Sequence, residues 1–241
     1  MPSIIGTRHE TSLHRELKFA YTGYEGQTEV DFIGFVADGI NAHGKYIEVQ
    51  TGKFGAFMNK ARRIAALGGL KVVYPVMIAK YLESFDAEGR QQCCRKSNRP
   101  GSIWDIFAEL IYAPGMPLVP GLEIELALVD VAEQRIMDGK GSWRRKGVSI
   151  GDRRLLALHD RICLEKPADY LRFVPFARNE EFTAKALGEK AGIRAGLARK
   201  TLYVLVRLGI VEKTGKRRNE LVYRLVISPR TKKWKKPPSA P

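Results

Sequence analysis

Cysteine is scarce in this chain of 241 residues: three are present, Cys93 and Cys94 adjacent and Cys163 far from both. That number and spacing exclude a disulfide framework and offer no zinc site. No apolar run approaches the roughly 20 residues that span a bilayer, and residues 1–10 lack the apolar segment of a secretory signal. These absences predict a cytoplasmic protein in a reducing compartment, with no membrane partner. No internal repeat marks a solenoid. The four histidines, His9, His14, His43 and His159, show no triad or metal spacing, and Gly52 and Gly55 fall far short of a phosphate-binding loop.

Acidic residues are scarce in one region only. Residues 183–241 hold 16 Lys and Arg against 3 Asp and Glu, a net +13 of the chain's +15, which leaves +2 for the first 182 residues. A localised positive field suits a polyanion, because each neutralised phosphate releases counterions. A solvated, solubilising surface is the plainer alternative. With 44% hydrophobic and 28% charged residues the composition is that of a globular protein, not of a disordered or collagen-like one. The length suits two domains.

Over residues 1–82 helix, strands, helix and strand follow one another. Thr11 or Ser12 caps a helix reaching Tyr21. Residues 28–36 have strand character before a turn at Asp38-Gly39, and residues 45–50 form a second strand. Residues 57–67 have helical spacing up to Gly68-Gly69, and residues 70–79 are an apolar, buried strand. Residues 83–181 extend this core with a helix and a β-hairpin. Ser102 and Asp105 open a helix to Tyr112, prolines punctuate residues 114–120, and residues 122–131 are a strand. A turn at Asp138-Gly139 leads to Trp143, Arg144, Arg145 and Lys146; an aromatic beside three cations suits a phosphate or base contact, and a solvated hairpin tip fits the same letters.

The last block carries the clearest pattern. Residues 183–191 form a short helix, Gly192 a turn and residues 195–208 a second helix ending at Gly209; two strands, 210–213 and 221–226, flank a cationic loop over 214–220. Helix, turn, helix and wing predict a winged helix-turn-helix over residues 182–228. In such a module the second helix enters the major groove and the wing tracks the backbone. Arg194, Arg199, Lys200 and Tyr203 then face the nucleic acid from the helix, with Lys216, Arg217, Arg218 and Asn219 at the wing tip. Residues 229–241 read as a basic disordered tail adding phosphate contacts. A protein-interaction module is the alternative use of this fold.

Carboxylates near the start stand where burial is costly. Glu16 shares a helix face with Leu13, Leu17 and Ala20, and Asp31 lies between Val30 and Phe32 in a strand-like run. Alternation over residues 46–50 puts Glu48 and Gln50 on one face, Ile47 and Val49 on the other. Two carboxylates from strands and one from a helix can converge on Mg²⁺ or Mn²⁺. Taken in order, Glu16, Glu29-Val30-Asp31, Ile47-Glu48-Val49-Gln50-Thr51-Gly52, then a helix and the strand at Val72-Val73-Tyr74-Pro75-Val76 resemble the PD-(D/E)xK nuclease superfamily over residues 10–80.

That resemblance implies an α/β (α+β) core, a mixed sheet flanked by helices, with Asp31 and Glu48 as metal ligands and Glu16 supporting the ion. It places Gln50 where the superfamily usually has Lys, to position the attacking water. A neutral amide supplies no cation, so Lys53 or Lys60 would have to fill that role. The Glu48–Gly52 and Trp143–Lys146 segments are also similar to a group of microbial proteins with no settled activity. The expectation is a nuclease core over residues 1–82, extended by residues 83–181: a Mg²⁺-dependent endodeoxyribonuclease acting on duplex or branched DNA, and a possible homodimer. The rival reading is a non-catalytic DNA-binding regulator with a degenerate nuclease fold. An RNA-directed enzyme is the third.

Overall fold

A computed structural model describes residues 11–32 and 34–226. The fold is α+β, built on a mixed sheet. The chain divides into two compact units that take segments alternately. Among the described residues the first gathers 11–51, Leu70–Ile103 and Glu125–Ile162; the second gathers Gly52–Gly69, Trp104–Ile124 and 163–226. Among the described residues no helix is long and apolar enough to cross a membrane.

The first unit opens with α1 (Ser12–Thr22). Thr11 caps it, its hydroxyl accepting the His14 N–H, and Gly23 ends it at φ +71°. Three antiparallel strands follow, β1 (Gln27–Phe32), β2 (Phe35–Ile40) and β3 (Tyr46–Val49); β4 (Leu70–Phe85) then pairs parallel to β3. A parallel pair needs a crossover, and α2 (Phe54–Gly68) lies in the connecting segment. β5 (Gln91–Lys96) folds back on the far half of β4. β6 (Leu122–Ile136) and β7 (Ser149–Leu164) complete the sheet in the order β1-β2-β3-β4-β6-β7.

One face of α1 is set by Leu13, Leu17 and Tyr21 at helical spacing, and it packs on Ile47, Val49 and Val73 and on Ala127, Val129 and Val131 of β6. Complete burial of Leu13 and Leu17 contributes about 2 kcal/mol each.

The second unit contains α2, α3 (Ile106–Leu110), and, after β8 (Phe182–Thr183), α4 (Ala184–Ala191), α5 (Ala195–Arg207), β9 (Val211–Arg217) and β10 (Glu220–Leu225). Phe107, Tyr170 and Phe173 are fully buried and, with Trp104, form an aromatic cluster in which Phe107 and Phe173 meet edge to face. α3 packs on both α2 and α5. Thr183 caps α4 and Gly192, left-handed at φ +65°, ends it. β10 pairs with β8 on one side and β9 on the other.

Several elements differ from the sequence expectation. Residues 28–36 are not one strand but the first arm and turn of a hairpin, with the chain reversing at Gly34, φ +78°. Asp38-Gly39 is then not a turn; it lies inside β2, where Gly39 pairs with Ile47 of β3. The strand read over 70–79 runs on to Phe85, and β7 follows the turn at residues 138–148 as a second arm of a hairpin whose bounds the sequence reading left open. The helix expected from Ser102 to Tyr112 shrinks to a 3-10 turn and five helical residues, with no side-chain cap at Asp105. Near the C-terminus β9 reaches Arg217, so the expected seven-residue loop tightens to a turn at Arg218 and Asn219, with Arg218 left-handed.

Candidate functional site

Two groups of residues carry chemistry, one in each unit. In the first unit, β2 and β3 pair through Gly39 and Ile47, which sets Asp38 opposite Glu48. There the backbone ladder gives way to side chains. Glu48 Oε1 accepts the Asp38 N–H at 3.3 Å and Asp38 Oδ2 accepts the Val49 N–H at 2.8 Å. From α1, His14 Nε2 lies 3.0 Å from the Val49 carbonyl oxygen and 3.2 Å from Asp38 Oδ2, two acceptors that require Nε2 to carry the proton. Both backbone groups of Val49 are thus held by side chains. The next residue returns to the sheet, the Gln50 N–H donating to Val73 O at 2.8 Å.

This geometry distributes the residues of the nuclease resemblance unevenly. Glu48 is buried at 3% exposure, and Gln50 follows it on the same side by strand alternation. Asp31 is exposed on β1, with β2 between it and Glu48. Strands two apart stand about 9.5 Å apart at the backbone, so the carboxylate facing Glu48 is Asp38. Glu16 is engaged elsewhere, its Oε2 accepting the Leu155 N–H at 2.6 Å. Lys60, in α2 of the second unit, holds its ammonium 5.9 Å from the Phe57 ring centroid. Among the described residues no group of three His, Cys, Asp or Glu side chains is placed to share a metal ion. The set Glu16, Asp31 and Glu48 does not fit one.

Asp38 and His14 are what the sequence reading missed. The signal for Asp38 was present: a hairpin closing at residues 41–44 pairs positions 38 and 48, but taking Asp38-Gly39 as the turn conceals it.

In the second unit, α5 buries Ala198, Leu202, Val204 and Leu205. The opposite side carries Arg199, Lys200, Tyr203 and Arg207 at three- and four-residue spacing, all exposed but Lys200, which is half-buried. Arg207, not singled out by the sequence, lies with its guanidinium 5.6 Å from the Tyr203 ring centroid and donates to the Tyr203 hydroxyl at 3.4 Å. Arg194 is exposed at the N-cap of α5. Residues 212–220 of the β9–β10 hairpin are all exposed, Lys216, Arg217, Arg218 and Asn219 among them. An Arg224–Glu212 pair at 3.0 Å bridges the two strands. The basic tail over 229–241 lies outside the described residues. Trp143 and Arg145 bound a 3-10 turn between β6 and β7, with Arg144 between them, and all three are exposed.

Comparison with known proteins gives a family and a distant relative. The family model "Domain of unknown function (DUF8091)" matches residues 11–165. An uncharacterized protein of Treponema pallidum (strain Nichols) is 30% identical over 152 residues, 63% of this chain; the chain thus spans 61% of that relative's length. No solved structure matches the chain.

Proposed function

The chain belongs to the family of the domain of unknown function DUF8091, and we propose that it binds duplex DNA through a winged helix-turn-helix made of α4, α5 and the β9–β10 hairpin. One observation carries this reading: the face of α5 that is not buried is a stripe of Arg199, Lys200, Tyr203 and Arg207, and it belongs to the same unit as a hairpin that carries Lys216, Arg217 and Arg218 exposed at its tip. A helix with one apolar and one cationic face can lie in a major groove, while a hairpin of Lys and Arg neutralises neighbouring phosphates. The tyrosine under Arg207 stiffens the outer turn of that face.

The test is affinity against salt. Replacing Lys216, Arg217 and Arg218 by Ala weakens duplex binding and flattens the slope of log K against log salt by about 0.9 for each phosphate no longer neutralised. Replacing Arg199 lowers affinity again. Unchanged affinity in both variants refutes the reading, and tighter binding of RNA than DNA at matched salt redirects it.

A second reading, phosphodiester hydrolysis, is favoured by the opposed Asp38 and Glu48 and by the order of α1, β1 to β3, α2 and β4, which agrees with the superfamily resemblance. Mg²⁺ or Mn²⁺ would supply water activation in such a reaction. Purified chain incubated with either ion then cleaves duplex, branched or single-stranded DNA; Asp38→Asn and Glu48→Gln abolish cleavage, and Asp31→Ala leaves it intact. Absence of cleavage with every substrate leaves the DNA-binding protein with a degenerate nuclease fold.

A further inference from the structure

We infer that the turn between β6 and β7 is a base-stacking contact for unpaired nucleotides, so that the nucleic acid handled by this chain carries a single-stranded segment. This rests on the nucleic-acid reading above but on neither α5 nor the β9–β10 hairpin.

The turn is a closed structure. Asp138 accepts the Lys140 N–H at 3.0 Å and the Ser149 hydroxyl at 2.8 Å, which seals the stem. Above it the Gly141 N–H donates to Gly147 O at 2.8 Å, the Arg145 N–H to Ser142 O at 2.8 Å and the Lys146 N–H to Trp143 O at 3.0 Å. A Cβ at Gly141 would stand 1.9 Å from Val148 O, so the close approach of the two arms requires glycine there. What this braced turn presents is Trp143, 83% exposed, with the Arg144 guanidinium 5.6 Å from its ring centroid.

Lys140, Arg144, Arg145 and Lys146 lie within three residues of Trp143 along the turn, and the Arg145 Nε–H donates to Val148 O at 3.2 Å. The nearby carboxylate, Asp138, is turned into the stem. Cations beside an exposed aromatic ring fit a strand whose phosphates and bases are both accessible. In a duplex the base faces are covered by their neighbours, and a side chain at a surface turn meets only edges and phosphates. An unpaired nucleotide offers its π-face, and stacking there tolerates any base. An anionic lipid surface also attracts Trp and cations, but residues 139–147 contain no second large apolar side chain to enter the acyl region.

The chain has three tryptophans, so Trp104→Phe with Trp234→Phe leaves Trp143 as the sole indole. Its fluorescence is expected to be quenched by a short oligothymidine and far less by a duplex of the same length. In the otherwise unaltered chain, Trp143→Ala weakens oligothymidine binding about five-fold or more, with melting and duplex affinity unchanged, and Trp143→Tyr restores most of it. Three outcomes overturn the inference: no quenching by the single strand, equal quenching by the duplex, or a blue shift with phosphatidylglycerol vesicles in place of quenching by the oligonucleotide. The hairpin variant lacking Lys216, Arg217 and Arg218 keeps the quenching even as duplex affinity falls, so either reading can fail alone.

Discussion

Glu133 is 1% exposed on β6, a position where an isolated carboxylate would be costly. Three cations from three strands surround it: Arg135 and Arg153 at 3.0 Å and Lys80 at 3.6 Å. Burial alone would raise its pKa, but the charge of Lys80 and then the bond and charge of Arg153 outweigh it and hold the carboxyl below its ordinary range. The folded value therefore lies below the unfolded one, near 4.3. The stabilisation is complete above that unfolded value and is lost as pH falls through the lower, folded one. Glu133→Gln removes the charge and leaves three cations crowded together, at a cost of about 3–5 kcal/mol. Urea unfolding at neutral pH measures that loss, and the variant shows a shallower fall in stability on acidification below about pH 5. Equal stability and equal acid sensitivity would show that the cluster does not hold the sheet. Glu16 belongs to the same class of residue: its carboxylate satisfies a strand N–H, a use that the helical pattern alone does not reveal.

At the scale of elements, the joint between α4 and α5 controls how the cationic helix is presented. A Cβ at Gly188 would stand 2.9 Å from Ile193 O, where the Ile193 N–H already returns to Gly188 O at 2.9 Å. Gly188→Ala must therefore open that turn, costing about 1–2 kcal/mol and, on the proposed function, lowering duplex affinity as α5 shifts. Gly196 makes the contrast: nothing lies within 4 Å of its Cβ position in the first turn of α5, so Gly196→Ala stabilises the helix by about 0.5–1 kcal/mol. Thermal denaturation of the two variants checks the opposite signs. These helices were legible in the sequence because their apolar spacing and their glycine stop, Gly192, act locally. β7 was not legible in its extent. It is the outermost strand after β6, and its sixteen residues mix Arg, Asp and His with Leu, most of them at least partly exposed, so no alternation of apolar and polar residues marks its bounds. The strand at Asp38 was hidden for another reason: Asp-Gly is a turn dipeptide by local preference, and pairing with β3 overrides that preference.

For the whole molecule, the order of segments along the chain and their grouping in space are different things. Residues 183–226, with 11 Lys and Arg against 3 Asp and Glu, share a unit with α2 and α3, and α3 packs on α5 as well as on α2. No local pattern announces that grouping, because it depends on contacts between residues about 100 positions apart. It also changes what a truncation means. On the proposed function, a chain ending at residue 182 loses DNA affinity for two reasons at once, since it lacks the cations and also strips a packing partner from α3. The expected result is a lower melting temperature and binding of a hydrophobic dye, reported by circular dichroism and fluorescence. The charge variant at Lys216, Arg217 and Arg218, all exposed, melts as the unaltered chain does, because surface substitutions away from caps and buried pairs change stability by about 0.5 kcal/mol or less. If the truncated chain melts normally and binds no dye, α5 is dispensable to the packing of its unit, and loss of affinity on truncation becomes a direct measure of the cationic face.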